Sequence, residues 1–68
     1  MLLQIGEFAR LADLSVRNVR YYGDVGLLPP SSVDPTTGYR RYTVGQLERA
    51  RQLIALKATG LSLDEIRL

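Results

Sequence analysis

Apolar residues recur every three or four positions near the start of the chain, and this spacing predicts a first helix. The residues that share the spacing are Ile5, Phe8, Ala9 and Ala12. The predicted helix runs from about Ile5 to Ala12, and Gln4 is a poor N-cap for it. Residues 13–15 then form a three-residue turn, with Leu14 directed toward the core.

The segment from Ser15 to Tyr22 predicts a second short helix with an apolar side and a polar side. At about 100° per residue, Val16, Val19 and Gly23 share the apolar side. The opposite side carries Arg17, Asn18 and Tyr21, with Arg20 and Tyr22 at the borders. The Ser15 hydroxyl can cap the helix, and Gly26 is expected to end it. Two helices joined by so short a turn predict a helix-turn-helix.

Residues 33–42 predict a small β-hairpin, or wing. An Asp-Pro step opens the turn, and the glycine before Tyr39 supplies a positive φ angle. A two-stranded ribbon is only marginally stable alone, so Tyr42 is expected to anchor it to the helices. Tyr39 and Arg40 are predicted to face outward, although strict strand alternation would place Tyr39 with Arg41 instead.

Two capping-box patterns predict the last two helices. The first pairs Thr43 with Gln46 and opens a third helix over residues 43–58. The apolar stripe of this helix consists of Leu47, Ala50, Leu53, Ile54 and Ala58. The second box lies at residues 62–65 and opens a fourth helix at Leu63.

The length and composition predict one small folded domain. The chain has 68 residues, of which 46% are hydrophobic, and a domain of this size is marginally stable alone. The fold class is mostly α with a small β-hairpin. The expected core residues are Ile5, Phe8, Val19, Leu27, Leu47 and Ile54.

Composition also excludes several kinds of function. The chain has neither cysteine nor histidine, so we expect no disulfide, no transition-metal site and no cofactor. No apolar run approaches a membrane span, and the N-terminus does not resemble a signal peptide, so a cytoplasmic protein is expected. The sequence contains no acid–base pair, nucleophile constellation or phosphate-cradling loop, so we do not expect an enzyme.

The charged residues point to nucleic acid through their type and placement more than through their number. Nine basic and seven acidic residues give a net charge of only +2. Eight of the nine cations are arginine, whose planar guanidinium suits bidentate contacts to phosphate and guanine. The polar side of the second helix carries arginine, asparagine and tyrosine, which can read and grip a duplex. The alternative interpretation is a solvated basic face on a core helix.

Six segments, taken in order, resemble the DNA-binding domain of the MerR family of bacterial transcription regulators. They are Ile5–Ala9, Leu14–Arg17, Val19–Tyr22, Gly26–Leu28 with Pro30, Gly38–Tyr42 and Gly60–Ile66. Each segment alone is weak evidence of the resemblance, but the ordered set covers nearly the whole chain and is specific to this family. The resemblance implies a winged helix-turn-helix, with a first wing at residues 33–42 and a second at 59–68. The family usually has an acidic residue where this chain has Gly23, so the residue at which the second helix ends is not predicted.

The resemblance implies a set of DNA contacts, most of which the residue pattern also indicates. In the second helix they are Arg17, Arg20, Tyr21 and Tyr22, and Asn18 joins them on the outward face. Phosphate contacts are implied from Tyr39 and Arg40 in the first wing and from Lys57 near the second. For Tyr22 the alternative is a core tyrosine whose hydroxyl reaches the surface.

The resemblance also implies a function in promoter control. Members bind a palindromic operator as homodimers and, on binding an effector, distort the DNA so that RNA polymerase can use the promoter. The dimerisation helix and effector region of such regulators are absent from these 68 residues, so we expect the chain alone to be monomeric. The alternatives are an excisionase-like architectural DNA-binding protein and a helix-turn-helix that binds another protein.

Overall fold

The computed structural model describes residues 1–67 and contains four helices and three short strands within that range. In chain order they are β1 (Leu2–Gln4), α1 (Ile5–Ala12), α2 (Val16–Asp24), β2 (Ser32–Val33), β3 (Arg40–Thr43), α3 (Gln46–Ala58) and α4 (Leu63–Arg67). The predicted mostly helical fold is confirmed. The end of the predicted second wing, Leu68, lies outside the described residues.

The first helix has its predicted bounds and the second has its predicted N-cap, whereas the caps at Gln4 and Asp13 were not predicted. The start of α1 is held by Glu7, whose Oε1 accepts the Gln4 backbone N–H at 3.3 Å. Asp13 adopts a left-handed conformation with φ 59° and ends the helix. The Ser15 hydroxyl accepts the Asn18 N–H at 3.0 Å, which confirms the predicted N-cap of α2.

The second helix continues through Gly23 and ends at Asp24. The expected stop lies just beyond it, where Gly26 has a φ of 83° that a residue with a side chain rarely adopts. The question left open by Gly23 is therefore settled, because the helix passes this residue without breaking.

The predicted hairpin is present as β2 and β3, and β1 adds a third strand that was not predicted. All pairs are antiparallel, with β3 in the centre between β1 and β2. Leu3 of β1 lies opposite Tyr42 of β3. The strand β1 has only three residues and runs directly into a helix, so its alternation of exposed and buried positions is too short to detect.

The core is organised around the ring of Tyr42, as predicted for the wing anchor. This side chain is fully buried and stacks on Phe8, with ring centroids 4.6 Å apart and an interplanar angle of 22°. The other buried hydrophobic residues are Leu3, Ala9, Ala12, Val19, Tyr22, Leu27, Leu28, Ala50 and Leu53. The predicted core residues Ile5 and Leu47 are partly buried against this cluster.

The core prediction was wrong for Ile54, which is 37% exposed. The side of α3 that faces the core follows Ala50 and Leu53. One residue beyond Leu53, the helix has turned by about 100°, which carries Ile54 away from the core.

The capping box at residues 62–65 is confirmed, but the one predicted at Thr43 forms only in part, because the N-cap of α3 is Gly45 and no side chain caps that helix. Thr43 is the last residue of β3, and α3 begins at Gln46. The Gln46 side chain accepts the Thr43 N–H at 2.8 Å and donates to the Pro29 carbonyl at 2.7 Å. At α4, Ser62 and Glu65 each accept the other's backbone N–H, at 3.2 Å and 2.9 Å, as predicted.

Candidate nucleic-acid interface

The predicted two-sided character of α2 is realised in the structure. Val19 and Tyr22 are buried on one side. Four of the predicted contact residues, Arg17, Asn18, Arg20 and Tyr21, are exposed. Because these four side chains are exposed, this side of α2 is accessible to a ligand.

A shallow cleft of about 390 Å³ runs along the exposed side of α2. It is lined by Val16, Arg17, Arg20, Tyr21 and Asp24. Val16 was predicted on the apolar side but is 40% exposed, because it stands in the first turn, where it lies beside Arg17 on the cleft. The cleft thus combines two guanidiniums and a phenol with a single carboxylate.

Tyr22 lies in the core, as one of its two interpretations predicted. It is only 9% exposed, and its ring centroid is 6.1 Å from that of Tyr21. Burial therefore gives Tyr22 a packing role, and a DNA contact through its hydroxyl stays a prediction.

The first wing is held in a defined shape by Asp34. Its carboxylate accepts the N–H groups of Thr36 and Thr37 at 2.8 Å and 3.0 Å, and its own N–H donates to the Tyr39 carbonyl at 2.9 Å. These backbone N–H donors lower the pKa of Asp34. The predicted positive φ at Gly38 is confirmed at 76°, and the Tyr39 side chain is exposed at the wing.

Arg40 does not face outward, so that part of the wing prediction was wrong. Its Nη2 donates to Asp24 Oδ1 at 2.7 Å, and its Nη1 donates to the Arg20 carbonyl at 3.2 Å. Its side chain is only 25% exposed, and the bond to Asp24 raises the pKa of Arg40. The strand pleat gives the reason, because Arg40 shares a face of β3 with buried Tyr42, whereas Arg41 lies on the other face.

A second cleft of about 310 Å³ brings the first wing, α2 and the start of α1 together. It is lined by Gln4, Ile5, Gly6, Arg20, Gly38, Tyr39 and Arg40. Arg20 borders both clefts and so connects the exposed side of α2 with the wing. Sequence reasoning did not place residues 4–6 here, because they carry no charged side chain that would mark them.

Lys57 stands apart from both clefts. It is exposed in the last turn of α3, and its carbonyl accepts the N–H of Gly60, which has a φ of 90°. This turn is where the second wing was predicted. The structure therefore offers Lys57 as a separate cation beside the turn between α3 and α4.

Within residues 1–67, no cluster of histidine, cysteine, aspartate or glutamate is arranged to hold a metal ion. Over the same range, none of the helices has the length and hydropathy needed to cross a membrane.

The sequence matches a known family over nearly its full length. Residues 3–68 match the family model described as "MerR HTH family regulatory protein". The chain belongs to the MerR family. The resemblance inferred from the six ordered segments is thereby confirmed.

Curated relatives of this MerR-family chain are transcription regulators. It is 41% identical over 63 residues to the multidrug-efflux transporter 1 regulator of Bacillus subtilis. The match covers 93% of this chain but 23% of that protein. The chain thus spans about a quarter of the length of this relative.

Solved structures share the MerR-type winged helix-turn-helix fold. The EcmrR–DNA complex in EcmrR-RPo, determined by cryo-EM, matches with a TM-score of 0.90 and 36% identity, covering 94% of this chain and 24% of that chain. HiNmlR, a MerR family regulator lacking the sensor domain and bound to promoter DNA, matches with a TM-score of 0.83 and 34% identity. That match covers 98% of this chain and 50% of HiNmlR. These matches confirm the predicted winged helix-turn-helix.

Proposed function

We propose that this chain is the DNA-binding domain of a bacterial transcription regulator and that α2 is its recognition helix. The observation that carries the proposal is the side of α2 where Arg17, Arg20 and Tyr21 are exposed around one cleft. A helix with such a side fits the major groove of B-DNA. The similarity to EcmrR and HiNmlR, both bound to DNA, supports this assignment.

The residues of α2 divide into base-reading and orienting roles. Arg17 lies in the first turn, where recognition helices of this class contact base edges, and a guanidinium matches the two acceptors of guanine. Asn18 and Tyr21 extend the contact along the same side. The bond from Asn18 N–H to the Ser15 hydroxyl fixes the first turn before DNA binds.

The two wings are proposed to hold the DNA backbone. Tyr39 is exposed at the first wing and shares a cleft with Arg20, so both can reach phosphates that flank the groove. Lys57 would contact a phosphate farther along, near the second wing. Phosphate contacts of this kind set the register of the protein on DNA without reading its sequence.

In the complete regulator, we propose a homodimer that binds a palindromic operator and activates transcription by RNA polymerase. An effector would change the DNA shape imposed by the dimer, and such bending costs about 1–6 kcal/mol. Two wings per subunit supply backbone contacts that help to offset this cost. The names of the relatives as regulators, and of EcmrR in complex with DNA, support the proposal.

The same proposal implies that the chain binds DNA without a cofactor, catalyses no reaction and works in the cytoplasm. The hydroxyls of Ser15, Thr37 and Ser62 each accept a backbone N–H in a cap or turn, which supports a structural role for these three side chains.

A mobility-shift titration tests the proposed function. The chain should shift a duplex, and the affinity should fall steeply as salt rises, because phosphate contacts release counterions. Arg17→Ala should weaken binding, whereas Arg51→Ala is a matched control, since Arg51 lies exposed on α3 and pairs with Glu48. A chain that shifts no duplex at low salt would favour the protein-interaction alternative.

A further inference from the structure

The guanidinium of Arg40 joins the first wing to the last turn of α2. It donates to the side chain of Asp24 and to the backbone carbonyl of Arg20. A cation at this end of a helix is also favoured by the helix dipole. One side chain of the wing therefore makes two bonds to the recognition helix, and these bonds connect segments 16 to 20 residues apart in sequence.

Gly23 provides the space that this arrangement needs. A Cβ at residue 23 would lie 3.0 Å from Arg40 Nη1 and 3.4 Å from the Leu28 carbonyl oxygen. Gly23 is inside α2, where glycine costs about 1 kcal/mol relative to alanine. Its backbone does not have a positive φ, so its conformation does not require glycine. The close approach of the guanidinium does account for it.

Asp24 gains a role from the same contact. It lines the cleft on the exposed side of α2, where an unpaired carboxylate would face the phosphates of bound DNA. The Arg40 guanidinium, at 2.7 Å, balances that charge. Arg40 is thus committed to a partner within the protein and is not a free cation of the wing.

We propose that Arg40 is a positioning residue, which binds Asp24 and the Arg20 carbonyl across the gap left by Gly23 and so fixes the first wing relative to the recognition helix. The inference rests on the proposed DNA-binding function and reassigns Arg40 from phosphate contact to support. Tyr39, the preceding residue, lines the same cleft as Arg20 and Arg40. If Arg40 instead contacted a DNA phosphate directly, Arg40→Ala would lower the slope of log affinity against log salt, and Asp24→Asn would tighten binding.

Fluorescence anisotropy with a random-sequence duplex of about 20 base pairs separates the two roles. A positioning residue predicts that Arg40→Ala weakens binding by roughly threefold to tenfold, because hydrogen bonds at a half-exposed site contribute little each, with an unchanged slope of log affinity against log salt. It also predicts that Asp24→Asn weakens binding, although this change removes a negative charge from the interface. Asp13→Asn is the control for charge, since asparagine tolerates its left-handed backbone, and it should not weaken binding. A salt slope that falls by about one unit in Arg40→Ala, or tighter binding by Asp24→Asn, would overturn the proposal.

Gly23→Ala tests the same contact without removing a charge. The added methyl group crowds the guanidinium, so binding should weaken to a similar extent as in Arg40→Ala. In an Arg40→Ala background, Gly23→Ala should have no further effect on binding, whereas in an Arg41→Ala background its effect should persist, because Arg41 lies on the other face of β3. Equal effects of Gly23→Ala in both backgrounds would contradict the proposal.

Urea unfolding provides a readout that does not depend on DNA. Asp24→Asn and Arg40→Ala should be coupled, with the double variant less destabilised than the sum of the two single variants. Asp24→Asn and Arg41→Ala should be additive. If no variant and no wild-type chain binds the duplex, the proposed function fails, and coupling in this cycle still supports the Arg40 contact. Additivity of Asp24→Asn with Arg40→Ala would reject the contact itself.

Discussion

The ring of Tyr42 stacks on the ring of Phe8, with centroids 4.6 Å apart, and this contact joins the central strand of the sheet to the first helix. Both side chains are fully buried. The first wing is thus part of the same core as the helix-turn-helix. Two kinds of contact set the position of the wing relative to α2: the stacking of Tyr42 on Phe8 in the core, and the bonds of Arg40 to Asp24 and to the Arg20 carbonyl.

Replacing Tyr42 separates the contribution of its ring from that of its hydroxyl. The hydroxyl is buried and makes no hydrogen bond of good geometry among the described residues; burial raises the pKa of Tyr42, and the nearby Arg40 guanidinium lowers it by less. Tyr42→Phe should therefore change the free energy of unfolding by less than about 1 kcal/mol, whereas Tyr42→Ala should cost about 3–5 kcal/mol. Urea unfolding measures both, and a large loss in Tyr42→Phe would mean that the hydroxyl makes a bond that the structure does not show.

Arg17→Ala is expected to reduce affinity for the cognate operator by about 1–3 kcal/mol and to relax the preference at one base pair. The reason is the loss of a bidentate contact to a base edge. Anisotropy titrations with the operator and with single-base variants provide the measurement. An equal loss on the operator and on a scrambled duplex would show that Arg17 binds phosphate instead.

Lys57→Ala should reduce the slope of log affinity against log salt by about one unit, on cognate and random duplexes alike. Lys57 is exposed beside the turn before α4 and does not line the cleft on the exposed side of α2. Arg51→Ala, on the same helix, should leave the slope unchanged. If the two variants behave alike, Lys57 is not a phosphate contact.

The fold of the first wing should depend on the charge of Asp34. Backbone N–H donors lower its pKa below the ordinary value of 3.8, so the ionised form is favoured in the folded protein. Its contribution is fully present above that ordinary value and is lost as the pH falls through the lowered pKa. The free energy of unfolding of the wild type, relative to Asp34→Asn, should therefore be constant above about pH 5 and decline below about pH 4. A difference that does not change with pH would show that ionised Asp34 does not support the wing.

Removing the cap of the recognition helix should cost stability. The Ser15 hydroxyl accepts the Asn18 N–H, and Ser15→Ala should lower the free energy of unfolding by about 1 kcal/mol. Ser15→Asp retains a cap acceptor and should keep most of this free energy. Urea unfolding should therefore find Ser15→Asp more stable than Ser15→Ala, and equal stability of the two variants would mean that the cap bond contributes little.

Local signals in the sequence predicted most of the helical elements. The spacing of Phe8 and Ala12 gave α1, the hydroxyl of Ser15 marked the start of α2, and the pair Ser62 and Glu65 marked α4. These signals act within four residues, so a single stretch of sequence contains them. The burial of Tyr42 was also predictable, because the wing needs one large anchor.

Some features that sequence reasoning missed depend on partners distant in the chain. Leu3 lies in a strand that pairs with Tyr42, whereas Ile54 is exposed for a local reason, since the helix turns away from the core after Leu53. The strand pleat directs Arg40 inward, but the partners that receive its guanidinium, Asp24 and the space beside Gly23, are distant in sequence. Periodicity gives the direction of a side chain on its own element, but it does not identify what lies across from it.

The exposed side of α2 and the first wing should act together as one DNA-binding surface. An NMR titration of the isotope-labelled chain with duplex DNA tests it residue by residue. Backbone amide signals should shift for residues 16–24 of α2 and 36–40 of the wing, while those around Arg51 on α3 should stay in place. Shifts confined to α3, or none at a duplex concentration where binding is complete, would contradict it.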